Sequence, residues 1–264
     1  MTLSPARQPR PEPEFTVRLA ADAADLEAAQ HLRYRVFVGE LGSDGDMVDH
    51  EAQLERDRFD PHFDHLLLLD TARGGDIRTQ VVGVYRLLSE AGAEAIGQFY
   101  SEDEYDLTVL RRSGRKLLEL GRSCLHPDYR GGMGMFLMWQ ALSDYVAERG
   151  VEILFGTASF HGTDVAALAE PLSLLHHRHL APEDLRVRTR EEAFQSMDLV
   201  PEAQLNRPAA MKAVPALIKG YLRLGGFVGE GAYVDHAFNT TDVCLILDTA
   251  RMSEAQAKIY GRDG

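Results

Sequence analysis

Residues 116–125, KLLELGRSCL, run directly into residues 126–146, HPDYRGGMGMFLMWQALSDYV. The first ten read as a buried strand. Leu117, Leu118, Leu120, Cys124 and Leu125 form a nearly continuous apolar run, the pattern of a strand covered on both faces. Glu119 and Arg122 interrupt it, and a charge inside such a strand must be paired or solvated by a cleft. The segment is therefore either a site or an internal salt bridge, and both readings stand. Positions 119 and 122 differ in parity and face opposite sides of a regular strand, unless a bulge near Gly121 brings them together. A bulge would also free backbone N–H groups for a ligand or a developing oxyanion. The following turn holds Arg130, Gly131, Gly132 and Gly134, and the helix after it places Met135, Leu137 or Met138, Leu142, Tyr145 and Val146 on one face. A helix N-terminus beside an arginine can seat a phosphate, with a plain tight turn as the alternative.

Working outward, VEILFGTASF at 151–160 is a second buried strand, so strand, helix and strand form a βαβ unit with parallel pairing. Upstream, FTVRL at 15–19 predicts a strand, and Asp22 or Asp25 caps a helix running through Leu26, Leu32, Val36 and Phe37. HLLLLD at 65–70 and VVGVYRLL at 81–88 predict an antiparallel hairpin with a long polar connection. Residues 96–110 read as short helical or irregular structure. Downstream, a helix over 163–180 is interrupted or kinked at Pro171, and a second over 208–226 starts late or bends at Pro215. TDVCLILD at 241–248 supplies a late strand. No repeat and no composition break divides the chain. One α+β domain is expected over 15–250, between a tail at 1–14 and another at 251–264.

Forty-one acidic against 28 basic residues give a formal charge of −13, which argues against a nucleic-acid partner. An anionic partner must meet a local patch. Arg111, Arg112, Arg115 and Lys116 offer one, and Arg186, Arg188 and Arg190 offer another or a solvated face. The two cysteines, Cys124 and Cys244, lie in apolar runs and read as reduced, buried thiols of a cytosolic protein. The first 15 residues lack the apolar core of a signal peptide, and no apolar run approaches the roughly 20 residues of a membrane span. His176, His177 and His179 do not take the i, i+4 step of a helical metal pair, so no metal is expected.

The element order resembles the GNAT N-acetyltransferase fold: a mixed, mostly antiparallel sheet flanked by helices, here with an insertion at 161–210 before the last helix–strand unit. Against that family's turn pattern, Q/R-x-x-G-x-G/A, Arg130 fits, Met133 stands at the first glycine and Gly134 falls one position late. This weakens a diphosphate grip more than a single-phosphate one. GYLRLGGF at 220–227 resembles the fold's Y-x-x-x-G-F segment, which implies that Tyr221 protonates the leaving thiolate. The segments LRYRVFVGELG, ERDRFD, VVGVYRLL and ELGRSCLHP resemble the acyl-homoserine-lactone synthases, whose E-x-S-R step corresponds to Glu119 and Arg122 with Gly121 in place of Ser. FGTASFHGTD, LHHRHLAPEDLRVR, PALIKGYLRLGGFVGEGA and FNTTDVCL resemble, over almost the whole chain, the bacterial L-ornithine Nα-acyltransferases.

That resemblance implies transfer of a 3-hydroxyacyl chain from acyl carrier protein to the α-amine of ornithine, giving lyso-ornithine lipid, with no further cofactor. It implies a cytoplasmic protein, with transient inner-membrane contact for product release left open. The chemistry needs a base for the ornithine ammonium, and Glu119 is the choice, although burial and Arg122 push its pKa in opposite directions. Arg122 is its catalytic companion. Glu55, Asp57 and Asp60 are candidates for the substrate's cationic end, Arg33, Arg35 and Arg86 for its carboxylate, with Phe37 beside them. Ser123, Leu125, Arg130, Gly131, Gly132 and Gly134 would hold phosphopantetheine. Phe99, Leu154, Phe155 and the helix around Met135 to Trp139 would line the acyl chain, or simply form core. The basic patch at 111–116 with Arg130 would dock the acidic carrier protein. Alternatives are another amino-acid or homoserine-type acceptor, and a non-catalytic acyl-carrier-binding module.

Overall fold

In the computed structural model, which describes residues 12–252, the central feature is one sheet whose strands alternate their side chains between two packed layers. The expected tails fall largely outside the described residues. The elements used below are β1 (Phe15–Leu19), α1 (Ala23–Arg33), β2 (Asp64–Asp70), β3 (Val81–Ser89), β4 (Leu117–Leu125), α2 (Met133–Arg149), β5 (Ile153–His161), α3 (Ala169–His179), α4 (Arg207–Ala213), α5 (Ala216–Arg223), β6 (Phe227–Val228), β7 (Tyr233–Asp235) and β8 (Thr240–Asp248). Strand order is β1-β2-β3-β4-β5-β8-β6, with β7 also on β8. Every pairing is antiparallel except β4 with β5.

The leucines of β2 show why the sheet has two dry faces. Leu66 and Leu68 join the core under α2, whereas Leu67 and Leu69 join the core under α1, as a two-residue period requires. A third cluster, with Phe59, Phe99, Leu117, Phe155 and Ile246, covers the α1 side further along the sheet. At about 1.5–3 kcal/mol for each fully buried leucine, this arrangement fixes the register firmly.

Several expected boundaries move for physical reasons. Asp22 caps α1 through the Asp25 amide, and the helix continues past Arg33 as a π-helical turn, Tyr34–Val38. The expected kink at Pro171 is a late start instead. Proline occupies the first turn of α3, where its missing N–H has no helical acceptor to lose. Pro215 divides the later helical segment into α4 and α5. The short strands β6 and β7, not expected from sequence, pair with β8.

The parallel pair is the departure that matters. β4 and β5 are nine residues each, yet they pair only from Leu117 to Glu119 against Ile153 to Phe155. Beyond that they diverge, leaving the β5-facing edge of residues 120–125 without a ladder partner. Gly156 stands at the fork. A Cβ there would come 2.0 Å from the Leu120 carbonyl oxygen, and the residue holds φ at +155°.

Candidate active site in the fork between two strands

The expected bulge is present. Val84 pairs with Cys124 but Arg86 pairs with Gly121, so two residues, Arg122 and Ser123, stand opposite the single Tyr85. Arg122 takes the left-handed φ of +50° that the extra residue demands. Core membership records the consequence: Leu118 and Leu120 face α2, and after the bulge Leu125 does, so parity has switched. Arg122 is thereby turned onto the same side of the sheet as Glu119. The two do not pair with each other. Glu119 accepts the Tyr100 amide at 2.7 Å, the Ser101 amide at 2.6 Å and the Ser101 hydroxyl. Arg122 donates to Glu55 at 3.1 Å and to the Tyr100 hydroxyl at 3.2 Å.

A cavity of about 220 Å³ occupies the fork. Glu119, Leu120, Gly121, Arg122 and Ser123 of β4 line one side, and Thr157, Ala158 and Ser159 of β5 the other. Arg86, Phe37, Tyr100, Glu104 and Asp242 also reach its wall. Burial pushes the Glu119 carboxyl up to about 7, against the pull of its three hydrogen bonds from Ser101 and Tyr100. Its Oε2 accepts only one of those bonds and keeps a lone pair.

Behind the wall lies a buried ion cluster. Arg33 bonds Glu55 and, at 2.6 Å, Asp60; Arg86 bonds Asp57 and Asp60, both at 2.7 Å. These contacts hold Glu55 down to about 2 despite its burial, the Arg33 and Arg122 charges overcoming desolvation. Glu55, Asp57 and Asp60, expected at a substrate ammonium, do not line the cavity, and each faces an arginine. Glu55 holds Arg33 and Arg122, and Asp57 and Asp60 hold Arg86. Its Nη1 is held from behind, whereas Nε and Nη2 are buried with no hydrogen-bond partner. Gly121 lies over them, since a Cβ there would sit 3.9 Å from both nitrogens.

Arg35, expected at the substrate carboxylate, does not line the cavity either. It is exposed on the outer side of the π-helical turn and lines a separate surface groove with His31, Tyr34 and Glu40. Phe37, two residues on, turns inward to the cavity.

Tyr221 lies on the opposite, α2-facing side of the sheet. Its hydroxyl is 2.6 Å from that of Tyr85, whose own pKa burial raises to about 12. Both line a small second cavity with Leu154, Phe155 and Gly156, and it shares Leu120, Thr157, Ala158 and Leu217 with the first. Glu119 thus lines one cavity and Tyr221 the other, with the residues of the fork between them.

The expected phosphate seat sits beside the mouth rather than on the wall. Leu125, Arg130, Gly131, Gly132 and Gly134 do not line the cavity. Arg130 clasps Glu40 with both terminal nitrogens, at 2.5 and 2.8 Å, and the next residue, Leu41, is on the cavity rim. Gly132 is the N-cap of α2 and brings no side-chain cap, which leaves first-turn amides facing outward. Met133 and Phe136, in the same turn, are among the most exposed large apolar side chains.

The basic patch lies at the other end of β4. Arg111 is clamped by Glu102 and Arg115 by Asp248. Phe99 packs edge-on against Phe155 in the core and lines neither cavity. Away from the fork, His176 and His177 gather with Asp198 so that one ligand atom of each lies within 4.8 Å of the others, and His177 Nε2 is 3.3 Å from the Asp198 carboxylate. Sequence spacing did not bring Asp198 into that group. No helix among the described residues is long and apolar enough to cross a membrane.

Residues 32–140 match the acetyltransferase (GNAT) domain family. Among solved structures, the chain superposes on BjaI, a CoA-dependent acyl-homoserine lactone synthase, with a TM-score of 0.53 at 12% identity over 94% of this chain and 88% of that one. It superposes on FeeM, an N-acyl amino acid synthase from uncultured soil microbes, with a TM-score of 0.50 at 10% identity over 93% and 98%. These likenesses establish the fold. Sequence relatives are much nearer. The L-ornithine N(alpha)-acyltransferase of Rhodobacter capsulatus is 59% identical over 94% of this chain and 95% of its own. That of Brucella abortus is 44% identical over 94% and 89%. With identity at that level over almost the full length of both chains, the protein belongs to the L-ornithine N(alpha)-acyltransferase family, acyltransferases built on the GNAT fold.

Proposed function

We propose that this enzyme moves a 3-hydroxyacyl chain from an acyl carrier protein thioester to the α-amine of L-ornithine, giving lyso-ornithine lipid, with the reaction taking place in the fork between β4 and β5. The observation that carries this reading is a buried carboxylate with a pKa near neutrality, Glu119, sharing a cavity with two uncommitted N–H groups of Arg86. A general base works best when its pKa lies close to the working pH. A buried guanidinium with open donors calls for an anion, and the carboxylate of an amino acid supplies one in matching planar geometry.

In this reading ornithine enters from the Arg86 side and the thioester from the Tyr221 side. Ornithine's carboxylate bonds Arg86 Nε and Nη2, with Arg122 adding charge. The α-ammonium gives a proton to Glu119 Oε2, directly or through one water. The freed amine attacks the thioester carbonyl in the fork, and unpaired amides along the open edge of β4, around Ser123, steady the oxyanion. The C–S bond then breaks as the amide C–N bond stands complete; the Tyr221 hydroxyl protonates the departing sulfur, and the second proton lost by the attacking nitrogen passes through water in the fork to restore the tyrosine. Tyr85 orients that hydroxyl. A cavity of about 220 Å³ is smaller than the ~300–1,000 Å³ of a drug-sized site. It holds the reacting head groups, and the chain extends beyond it.

A carrier-protein donor fits better than coenzyme A, because Arg130 is locked to Glu40 and Met133 replaces a motif glycine, which leaves a seat suited to one phosphate. Met133, Phe136 and Leu41 form an apolar lip beside that seat, suited to handing a lipid product to a membrane surface. Purified protein incubated with 3-hydroxyacyl carrier protein and a panel of amino acids tests the reading by mass spectrometry. Acyl-ornithine as the main product is expected; no product, or a preference for another acceptor, would overturn it.

A further inference from the structure

Glu55, Asp57 and Asp60 each face an arginine. Three other carboxylates at the cavity do not. Glu104, Asp235 and Asp242 all line it, and Glu104 and Asp242 are more than nine-tenths buried. None of the three forms an ion pair with a described Lys, Arg or His. Glu104 Oε2, Asp242 Oδ1 and Thr240 Oγ1 are buried without a hydrogen-bond partner, and all three residues are on the cavity wall. Buried acceptors left unmade are expensive, and buried charges are ordinarily paired.

We propose that Glu104, Asp242 and Thr240 form a cation subsite that receives the side-chain ammonium of the acceptor, with Asp235 adding charge, and so select a diamino acid over a neutral amino acid of equal length. The inference rests on the acyl-transfer reading above and gives the substrate's second amine a place that the Asp57–Asp60 loop does not provide. An ammonium carries three N–H donors and no acceptor. The three unpartnered oxygens match that number. The electrostatics agree: burial, with the Asp235 charge, holds the Asp242 carboxyl up at about 6 against the Ser159 and Thr240 hydroxyls and Arg122, and burial with the Asp242 and Asp235 charges holds the Glu104 carboxyl well above its usual range against Arg122.

The subsite is also mechanically tied to the proposed base. Glu104 closes the turn whose Tyr100 and Ser101 amides hold Glu119, through its own amide to the Ser101 carbonyl at 3.1 Å. Its carbonyl accepts the Arg190 amide at 2.9 Å. Asp242 is fixed in β8 opposite Ser159, and its carbonyl accepts the Tyr105 hydroxyl at 2.9 Å. The cavity is thus lined by Arg86 and Arg122 as well as by the acids Glu104, Asp235 and Asp242, with Glu119 on the same wall.

The test compares ornithine with norvaline, which differs only by lacking the terminal amine, in the full-length wild type and in Asp242→Asn, Glu104→Gln and Thr240→Val. Wild type should favour ornithine by at least about a hundredfold in kcat/KM, as expected of a site whose buried polar groups are left unpaired by the shorter analogue. Asp242→Asn and Glu104→Gln should raise the ornithine KM tenfold or more and shrink the ornithine-over-norvaline ratio in kcat/KM by about the same factor, and Thr240→Val should do so more weakly. Equal losses on both acceptors would mean a structural role and overturn the proposal, as would an unchanged ornithine preference. Calorimetric binding of 1,4-diaminobutane keeps the two readings separable. Wild type should bind it and Asp242→Asn should not, even if no acyl-ornithine forms; a protein that acylates ornithine but binds the diamine equally well in both forms would sink the subsite alone.

Discussion

Glu119→Gln is the most informative single change. In the wild type the Glu119 carboxyl is raised from an ordinary 4.5 to about 7, chiefly by burial. Such a displacement corresponds to about 3 kcal/mol of disfavoured charge. The sign follows from proton binding: between 4.5 and 7 the folded state holds a proton that the unfolded state has released, so this residue's contribution to stability falls as pH rises through that window. Glutamine removes that penalty, but its amide must point N–H groups at the Tyr100 or Ser101 donors and loses at least one bond, about 1–3 kcal/mol. At pH 8 the two effects nearly offset, so the variant should fold with a Tm close to wild type. Turnover should behave quite differently. Loss of the base should lower kcat by about 10²–10⁴, with donor binding retained. Wild-type turnover should rise about tenfold per pH unit below 7 and level above it, whereas the variant's profile should be flat across that range. The assay is acyl-ornithine formation between pH 5 and 8, alongside thermal melts. A variant within tenfold of wild-type kcat, or a wild-type profile already flat from pH 5, would refute the role assigned to Glu119.

Tyr221→Phe should keep the fold but break the 2.6 Å contact with Tyr85, lowering kcat by about 10²-fold, with the deficit shrinking when a thioester with a more acidic thiol is supplied. Gly156→Ala should place a methyl 2.0 Å from the Leu120 carbonyl at a φ of +155°, adding about 1–3 kcal/mol of strain and closing the fork; denaturant melts should show the loss and turnover should disappear. Asp60→Asn leaves Arg33 and Arg86 under-paired and should cost about 3–5 kcal/mol, read from chemical unfolding. Because Glu55 and Asp60 are held below their ordinary values, their contribution is full above about pH 4 and is lost as pH falls toward 2, so melts at pH 3 and 6 should differ far more in wild type than in a variant already lacking Asp60.

The decisive features of the fold were legible where apolar periodicity was strong. Leu66 to Leu69 and the run from Leu117 to Leu125 could be read as strands directly, and the parity conflict between Glu119 and Arg122 called for the bulge that is found between Val84 and Arg86. What sequence could not decide was which charges face each other. Glu55, Asp57 and Asp60 look like a solvated acidic loop in one dimension; only folding brings Arg33 and Arg86 against them from α1 and β3. The same limit hid Glu104 and Asp242, which are 138 positions apart and come together where the hydroxyl of neighbouring Tyr105 bonds the Asp242 carbonyl. The signal available for them was weak but real: Asp242 sits inside an apolar strand, as Glu119 does, and an in-strand carboxylate merits the same question wherever it occurs. Helix boundaries at Pro171 and Pro215 turned on whether proline falls in a first turn or between helices, which local sequence leaves open.

The account stands on the claim that acyl transfer takes place within the fork, with Glu119 on the acceptor's side. A crystal structure of the protein with ornithine and a non-cleavable acyl-pantetheine tests this directly. The carboxylate of ornithine should lie on Arg86 Nε and Nη2, its α-nitrogen within hydrogen-bond reach of Glu119 or one water away, and the acyl carbonyl between Leu120 and Thr157. Ornithine bound elsewhere, or an acyl carbonyl that never enters the gap between β4 and β5, would contradict it.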